Sequence, residues 1–289
     1  MARRWMKAAA AVIVGAALAW GAVAWWHRAD APADRLQRLR AGEPLRVGYA
    51  VEPPYAIVRP DGQVDGVAPE VARLVGERLG VSRYEWVQTR FDALIPELRA
   101  HRFDVVAAGM FITPQREAWV AHSRPMMRVR SGVLWRRSAE ETQASAWKGW
   151  EPVQRVAVIE GSVEHQRWLA GGGLQDRLML VPDAASGQAA VLEGLADALA
   201  LSWPSVQWMA AHSQGRLQAH PLDARELLGA QADHPAFQFR HEDEALRRAW
   251  DQALGEVLGS EQYAAVLARW ELGEDVFPPR EREPQEGGR

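Results

Sequence analysis

The sequence predicts an α/β protein of two lobes, each a mostly parallel sheet flanked by helices. Three observations carry this expectation. Short β-branched runs alternate with helix-patterned segments, the order that a parallel sheet covered by helices requires. The alternation restarts after Arg136. The chain's 289 residues suffice for two cores at roughly 150 residues per domain.

Each element has a local cause. Arg3, Arg4 and Lys7 precede an unbroken apolar run over residues 8–26, which His27, Arg28 and Asp30 close. A basic start followed by an apolar stretch marks export. At nineteen residues the run exceeds an ordinary signal core and just reaches the length that spans a bilayer. Trp20, Trp25 and Trp26 crowd its far end as an interfacial belt does. Two readings stay open: a signal cleaved at Ala22-Val23-Ala24 or Ala29-Asp30-Ala31, and a retained anchor. Both put the mature part outside the cytoplasmic membrane. Residues 27–43, rich in Ala, Arg, Asp and Pro, read as a polar linker.

Leu45–Tyr49 reads as a buried strand that Pro53-Pro54 stops. Arg59-Pro60-Asp61-Gly62 is a tight turn between Ala56-Ile57-Val58 and Val64. Val67, Val71, Leu74, Val75 and Leu79 share one helical face, and Gly80 ends the helix. Strands over 84–87 and 103–108 alternate with helices over 91–100 and 113–121. The second unit repeats the scheme, with strands at 155–159, 178–181 and 197–201 and helices at 162–169, 186–195 and 204–212. From His241 the chain is helical, since Leu246, Trp250, Leu254 and Leu258 recur every fourth residue. Residues 280–289, charged and containing Pro and Gly, read as a disordered tail. Two such units imply a cleft at the carboxyl ends of the strands, where ligands bind.

Composition narrows the chemistry. Lys+Arg 34 against Asp+Glu 37 gives a net charge of −3, so no basic excess exists to neutralise nucleic acid. The absence of Cys excludes disulfides, thiolate metal sites, cysteine nucleophiles and lipid attachment at a mature N-terminal Cys. Fourteen Trp against four Tyr suggests that some Trp line a groove or a membrane interface. There is no P-loop, dinucleotide fingerprint, nucleophile elbow or metalloprotease helix. Gly171-Gly172-Gly173 follows a helix and reads as a loop. Asp61-Gly62-Gln63-Val64-Asp65-Gly66 lacks the ligands of a calcium loop at Gln63 and Ala72. The eight His are scattered without ligand spacing. No metal and no cofactor is expected.

One junction carries chemistry. The strand at 103–108 runs into Gly109-Met110-Phe111-Ile112-Thr113-Pro114-Gln115-Arg116. Thr113 suits an N-cap and Pro114 the first helical position, which puts Arg116 in the first turn at the positive helix end. Gly109 allows close approach to the strand exit. Such a site holds one carboxylate, with Arg116 able to bind it through two parallel hydrogen bonds. The bland alternative is a solvated surface arginine.

The stretch from Leu45 to Met127 resembles the family-3 periplasmic solute-binding proteins of ABC importers, the amino-acid-binding type. The motifs that carry the resemblance are Leu45–Tyr49, Gly66 to Glu70, Phe91-Asp92-Ala93-Leu94-Ile95-Pro96-Glu97-Leu98 and the run from Arg102 to Arg116. Phe237 to Leu246 and Leu258 to Tyr263 match as well. Within that family the junction is similar to that of the ectoine/hydroxyectoine binders, which also reads Ala-Gly-Met-aromatic-Ile-Thr-Pro-x-Arg. The resemblance implies a two-lobed periplasmic binding protein fold (type II). Lobe 1 is then built from 44–132 and 223–279, lobe 2 from 133–222, with hinge strands near 127–135 and 220–237. Signal or anchor plus linker occupy 1–43.

The resemblance also implies roles. Arg116 falls on the family's carboxylate-binding arginine, and Phe91 and Phe111 fall where rings meet the ligand. Glu52 and Tyr55 match an acid and an aromatic after the first strand. Gly109, Ser162, Ser202 and Trp203 complete the expected site, Trp203 either stacking on the ligand or merely packing. Where many amino-acid binders carry an acid late in lobe 2, this chain has Ala198-Leu199-Ala200-Leu201-Ser202-Trp203. Val163 is apolar where a polar contact is often found. The implied protein is a monomeric, non-catalytic periplasmic receptor that takes a small zwitterionic solute, such as ectoine, hydroxyectoine or an amino acid, and presents it to an ABC permease. Two alternatives are a membrane-tethered sensor and an enzyme like the cyclohexadienyl dehydratases, for which Glu52 or Glu164 would be the general acid.

Overall fold

A computed structural model describes residues 35–137, 147–170, 175–223, 226–227, 233–273 and 276. The N-terminal apolar run, Gly171-Gly172-Gly173 and the charged tail lie outside these residues.

In chain order, the first unit contains α1 (Arg35–Arg40), β1 (Leu45–Tyr49), the hairpin strands β2 (Ile57–Val58) and β3 (Val64–Asp65), α2 (Val67–Leu79) and β4 (Tyr84–Gln88). It continues through a 3₁₀ turn at Phe91–Ala93, α3 (Leu94–Arg99), β5 (Val105–Val106), α4 (Pro114–Glu117) and β6 (Ala121–His122). The second unit contains β7 (Ser131–Arg136), β8 (Val156–Ile159), α5 (Val163–Ala170), β9 (Leu178–Val181), α6 (Ala184–Leu192), β10 (Ala198–Ser202), α7 (Trp203–Ala211) and β11 (Leu217–Pro221). The chain then returns to the first unit as β12 (Gln238–Phe239), α8 (Glu244–Leu258) and α9 (Glu261–Arg269).

The first sheet has the order β4-β1-β5-β12-β6 and the second β11-β7-β10-β8-β9. In the first, β4, β1 and β5 are parallel and β12 runs against both of its neighbours. In the second, β10, β8 and β9 are parallel and β7 runs against β10 and β11. Each sheet is therefore mostly parallel with one reversed strand. The two crossings between units meet at Val129 and Asp233, which exchange backbone hydrogen bonds of 2.9 and 2.7 Å.

Lobe 1 closes around α2, α8 and α9. Trp250 is fully buried, edge-on to Phe237 at 5.1 Å and to Phe239 at 5.6 Å between ring centroids. Lobe 2 has a core on each face of its sheet. One holds Leu199, Leu201, Val206 and Met209. The other is floored by a row of rings, Trp135, Trp147, Trp150 and Trp168, with successive centroids 5.1, 5.0 and 4.9 Å apart. These Trp residues serve packing.

Three elements differ from expectation. Residues 35–40 are a helix rather than linker, with Leu36 and Leu39 in the lobe-1 core. Two leucines three apart among arginines give too weak a period to read from sequence. Arg35 and Arg46 each reach the buried Asp104 carboxylate at 2.7 Å, and Arg240 lies 3.5 Å from it. Burial pushes that carboxyl up, but the hydrogen bonds from Arg46 and Arg35 outweigh it and hold the group below its ordinary value. Helix α4 stops at Glu117 rather than continuing to 121. Val120 turns into the core and Ala121-His122 is taken by β12. Of the strand expected at 103–108, only Val105–Val106 is strand.

Candidate ligand-binding cleft

Five strand exits converge between the lobes. Glu52 follows β1, Phe91 follows β4, and Gly109 and Phe111 follow β5. From lobe 2 come Ser162 after β8 and Ser202 at the end of β10. Together with Arg116, Val163, Glu164 and Leu201 they line one narrow cavity. Convergence at carboxyl ends is what parallel strands facing each other across a crevice provide. No tryptophan lines it.

Gly109 has a local necessity. Its φ is +65°, and a Cβ there would stand 2.4 Å from the Tyr55 ring. Tyr55, expected to contact the ligand, is 1 % exposed and its ring packs against Gly109 instead of lining the cavity. Its hydroxyl faces Ser202 and Glu52 without a hydrogen bond of ordinary geometry. Trp203 is half-buried at the start of α7 and packs on the Leu199/Leu201 core, outside the cavity lining. The first position of a helix closing over the sheet turns its ring toward that core.

Arg116 is 5 % exposed. Its Nη1 donates to the Phe111 carbonyl at 2.7 Å and its Nη2 to the Gly161 carbonyl across the cleft at 3.0 Å. The Phe91 ring lies over the guanidinium at 5.6 Å. Burial lowers its pKa to about 10, opposed by the charges of Glu164, Asp233 and Glu52, so it stays cationic at neutral pH. Its backbone N–H is taken by Thr113, the expected N-cap. The guanidinium rather than the helix end therefore carries the anion-binding capacity.

Two buried acids face it. Glu52, 6 % exposed, accepts hydrogen bonds from Ser205 Oγ at 2.7 Å and from Ser202 Oγ at 3.4 Å, both in lobe 2. Burial raises its pKa to about 7, chiefly against the pull of the Ser205 hydrogen bond. Glu164, 2 % exposed in the first turn of α5, accepts from Ser131 Oγ at 2.7 Å, and burial raises its pKa as well. Behind it Arg167 grips Asp233 through bonds of 2.9 and 2.6 Å and donates to Ser131 at 2.9 Å. At the mouth, Arg90 holds Asp92 at 2.9 Å and reaches Glu160 of lobe 2 at 3.1 Å.

Of the residues the sequence singled out for ligand contact, Glu52, Phe91, Gly109, Phe111, Arg116, Ser162 and Ser202 meet in this cavity; Tyr55 and Trp203 do not line it. Glu164 was legible only as a possible acid, and its signal is its place two residues after Ser162 at a helix start. Ser131, Ser205 and Asp233 had no signal beyond their polarity. A wider groove bounded by Glu117, His122, His241 and Arg247 opens to solvent. There burial pushes the His122 pKa down to about 4, leaving the ring neutral.

Two α/β lobes joined by two crossings, with charged groups from both and aromatic rings from the first closing on a small cavity, define a bilobed solute-binding protein. The chain belongs to the bacterial extracellular solute-binding proteins, family 3, matched over residues 45–274. A relative from Sinorhizobium fredii, named "Probable amino-acid ABC transporter periplasmic-binding protein y4tE", is 30% identical over 243 residues, 82% of this chain and 80% of that protein. A Haemophilus influenzae relative, "Probable amino-acid ABC transporter-binding protein", is 27% identical over 76% of this chain and 74% of its own length. The crystal structure of EhuB in complex with hydroxyectoine superposes with a TM-score of 0.72 at 28% identity, covering 83% of this chain and 92% of that one.

Proposed function

We propose that the protein is a non-catalytic periplasmic receptor of an ABC importer. It closes its two lobes on a small solute of the ectoine or amino-acid kind and presents the closed form to a membrane permease, acting as a monomer. The observation that carries this reading is Arg116, a buried cation that bonds from one lobe to the Gly161 carbonyl of the other. Its remaining N–H groups suit a ligand carboxylate, the Phe91 and Phe111 rings flank the ligand's cationic part, and Glu52 takes its N–H groups. A cation between excluded-water rings gains about 2 kcal/mol from each. Contacts made to both lobes bias the hinge toward the closed state.

The test is calorimetric titration with ectoine, hydroxyectoine and amino acids. Arg116→Ala should weaken binding by about 3 kcal/mol, a hundredfold or more, because a buried carboxylate loses its partner. Unchanged affinity in that variant refutes the assignment. The buried acids Glu52 and Glu164, both held above the ordinary carboxyl range, support a second reading as a general-acid enzyme. Incubation with prephenate or arogenate distinguishes it, since only an enzyme yields aromatic product.

A further inference from the structure

The cavity wall has unequal charge. Of its lining residues, Arg116 is the one cation, while Glu52 and Glu164 are both acids. The Nη1 and Nη2 bonds of Arg116 go to the carbonyls of Phe111 and Gly161 rather than to either acid. The nearby Arg167 is held in a two-point pair with Asp233, so these two cancel each other behind the wall. The acids rest instead on neutral hydroxyls, Glu52 on Ser205 and Ser202, Glu164 on Ser131. Each sits on a different lobe.

A ligand carboxylate bound by Arg116 uses the wall's single positive charge. Two carboxyl groups are then left for the rest of the ligand. A ligand with one cationic centre neutralises one of them and leaves the other buried and unpaired, or protonated. A ligand with two cationic groups satisfies both. Leaving a buried charge without a partner is among the largest single penalties a binding site can carry.

We propose that Glu52 and Glu164 make the cleft select a solute of net positive charge, with one carboxylate and two separated cationic groups, over an electroneutral zwitterion. This rests on the reading of the cleft as a solute site and assigns Glu164 as its second cation-binding residue. The chemistry is that of a basic amino acid or a derivative that keeps its charged groups. Because the two acids stand on opposite lobes, such a ligand ties both ends of its cationic half to closure.

The experiment is calorimetric titration of the purified protein at pH 7.5 with L-arginine and L-lysine as net cations, and L-glutamine and ectoine as electroneutral probes. The cations should bind at least tenfold more tightly. Glu164→Gln should shrink the arginine-to-glutamine affinity ratio tenfold or more. If a variant does not fold, the wild-type protein still decides. Arginine binding near pH 7 should release more protons than glutamine binding, read as a stronger dependence of the binding enthalpy on buffer ionisation. Electroneutral probes that bind as tightly as arginine, a ratio unchanged in Glu164→Gln, or proton release no greater for arginine than for glutamine overturn this proposal and leave the solute receptor intact. Failure of all four probes to bind the folded protein overturns the receptor reading and this one with it.

Discussion

Replacing Glu52 by Gln should stabilise the ligand-free protein above neutral pH and change it little at pH 5. Glu52 is buried, and its pKa is raised from the ordinary 4.5 to about 7. At about 1.4 kcal/mol per tenfold change in proton affinity, that shift is a penalty of about 3 kcal/mol against folding with the group ionised. The sign follows from where the unfolded chain titrates. Below pH 4.5 the carboxyl is protonated in both states and contributes no penalty. Between 4.5 and 7 the unfolded state ionises first, so stability falls as pH rises. Above about 7 the full penalty is present. Gln keeps an oxygen that can accept from the Ser205 hydroxyl and has no charge to bury. The assay is thermal unfolding of wild type and Glu52→Gln at pH 5.0 and 8.5. At 8.5 the variant should melt several degrees higher, given about 2–4 °C per kcal/mol for a chain of this size class. At 5.0 the advantage should fall below about 1 kcal/mol. A variant no more stable at pH 8.5, or equally advantaged at both pH values, refutes the reasoning.

Gly109→Ala should destabilise the protein by about 2–5 kcal/mol, because it combines a left-handed backbone with a clash against the Tyr55 ring; urea denaturation measures it. Asp104→Asn should cost about 1–3 kcal/mol, since it removes the anion shared by Arg35, Arg46 and Arg240 while Arg35 keeps Glu43 and Arg240 keeps Asp243; a shift in urea midpoint at constant slope is the expected result. Arg90→Ala removes an exposed cross-lobe pair and should change thermal stability by less than about 1 kcal/mol. Its dissociation rate for bound solute should lose part of the wild type's salt dependence, which stopped-flow tryptophan fluorescence reads.

Residues with a strong local pattern were legible from sequence. Helix α2 follows from Val67, Val71, Val75 and Leu79 with Gly80 in a left-handed cap, and β1 and β9 match their expected limits. The two-residue strands β6 and β12 were not, because a strand that short has no period. Ala121 and His122 become strand only because Phe239 and Gln238 lie opposite them. At the cleft, Arg116 was visible through its Thr-Pro-x-Arg context. Glu164 and Ser131 meet only when α5 packs beside the first crossing, and no local spacing records that encounter. Tyr55 was expected at the ligand from the resemblance of the segment after the first strand, whereas Gly109 leaves room for its ring to pack against the junction.

The paired backbone bonds between Val129 and Asp233 make the second sheet a cassette. Its entry and exit sit side by side, so residues 130–232 can be excised and the ends rejoined by a short turn without stretching the first sheet. A remnant of that design should fold with Trp250 still enclosed by Phe237 and Phe239, and the same seam would accept a different insert in its place.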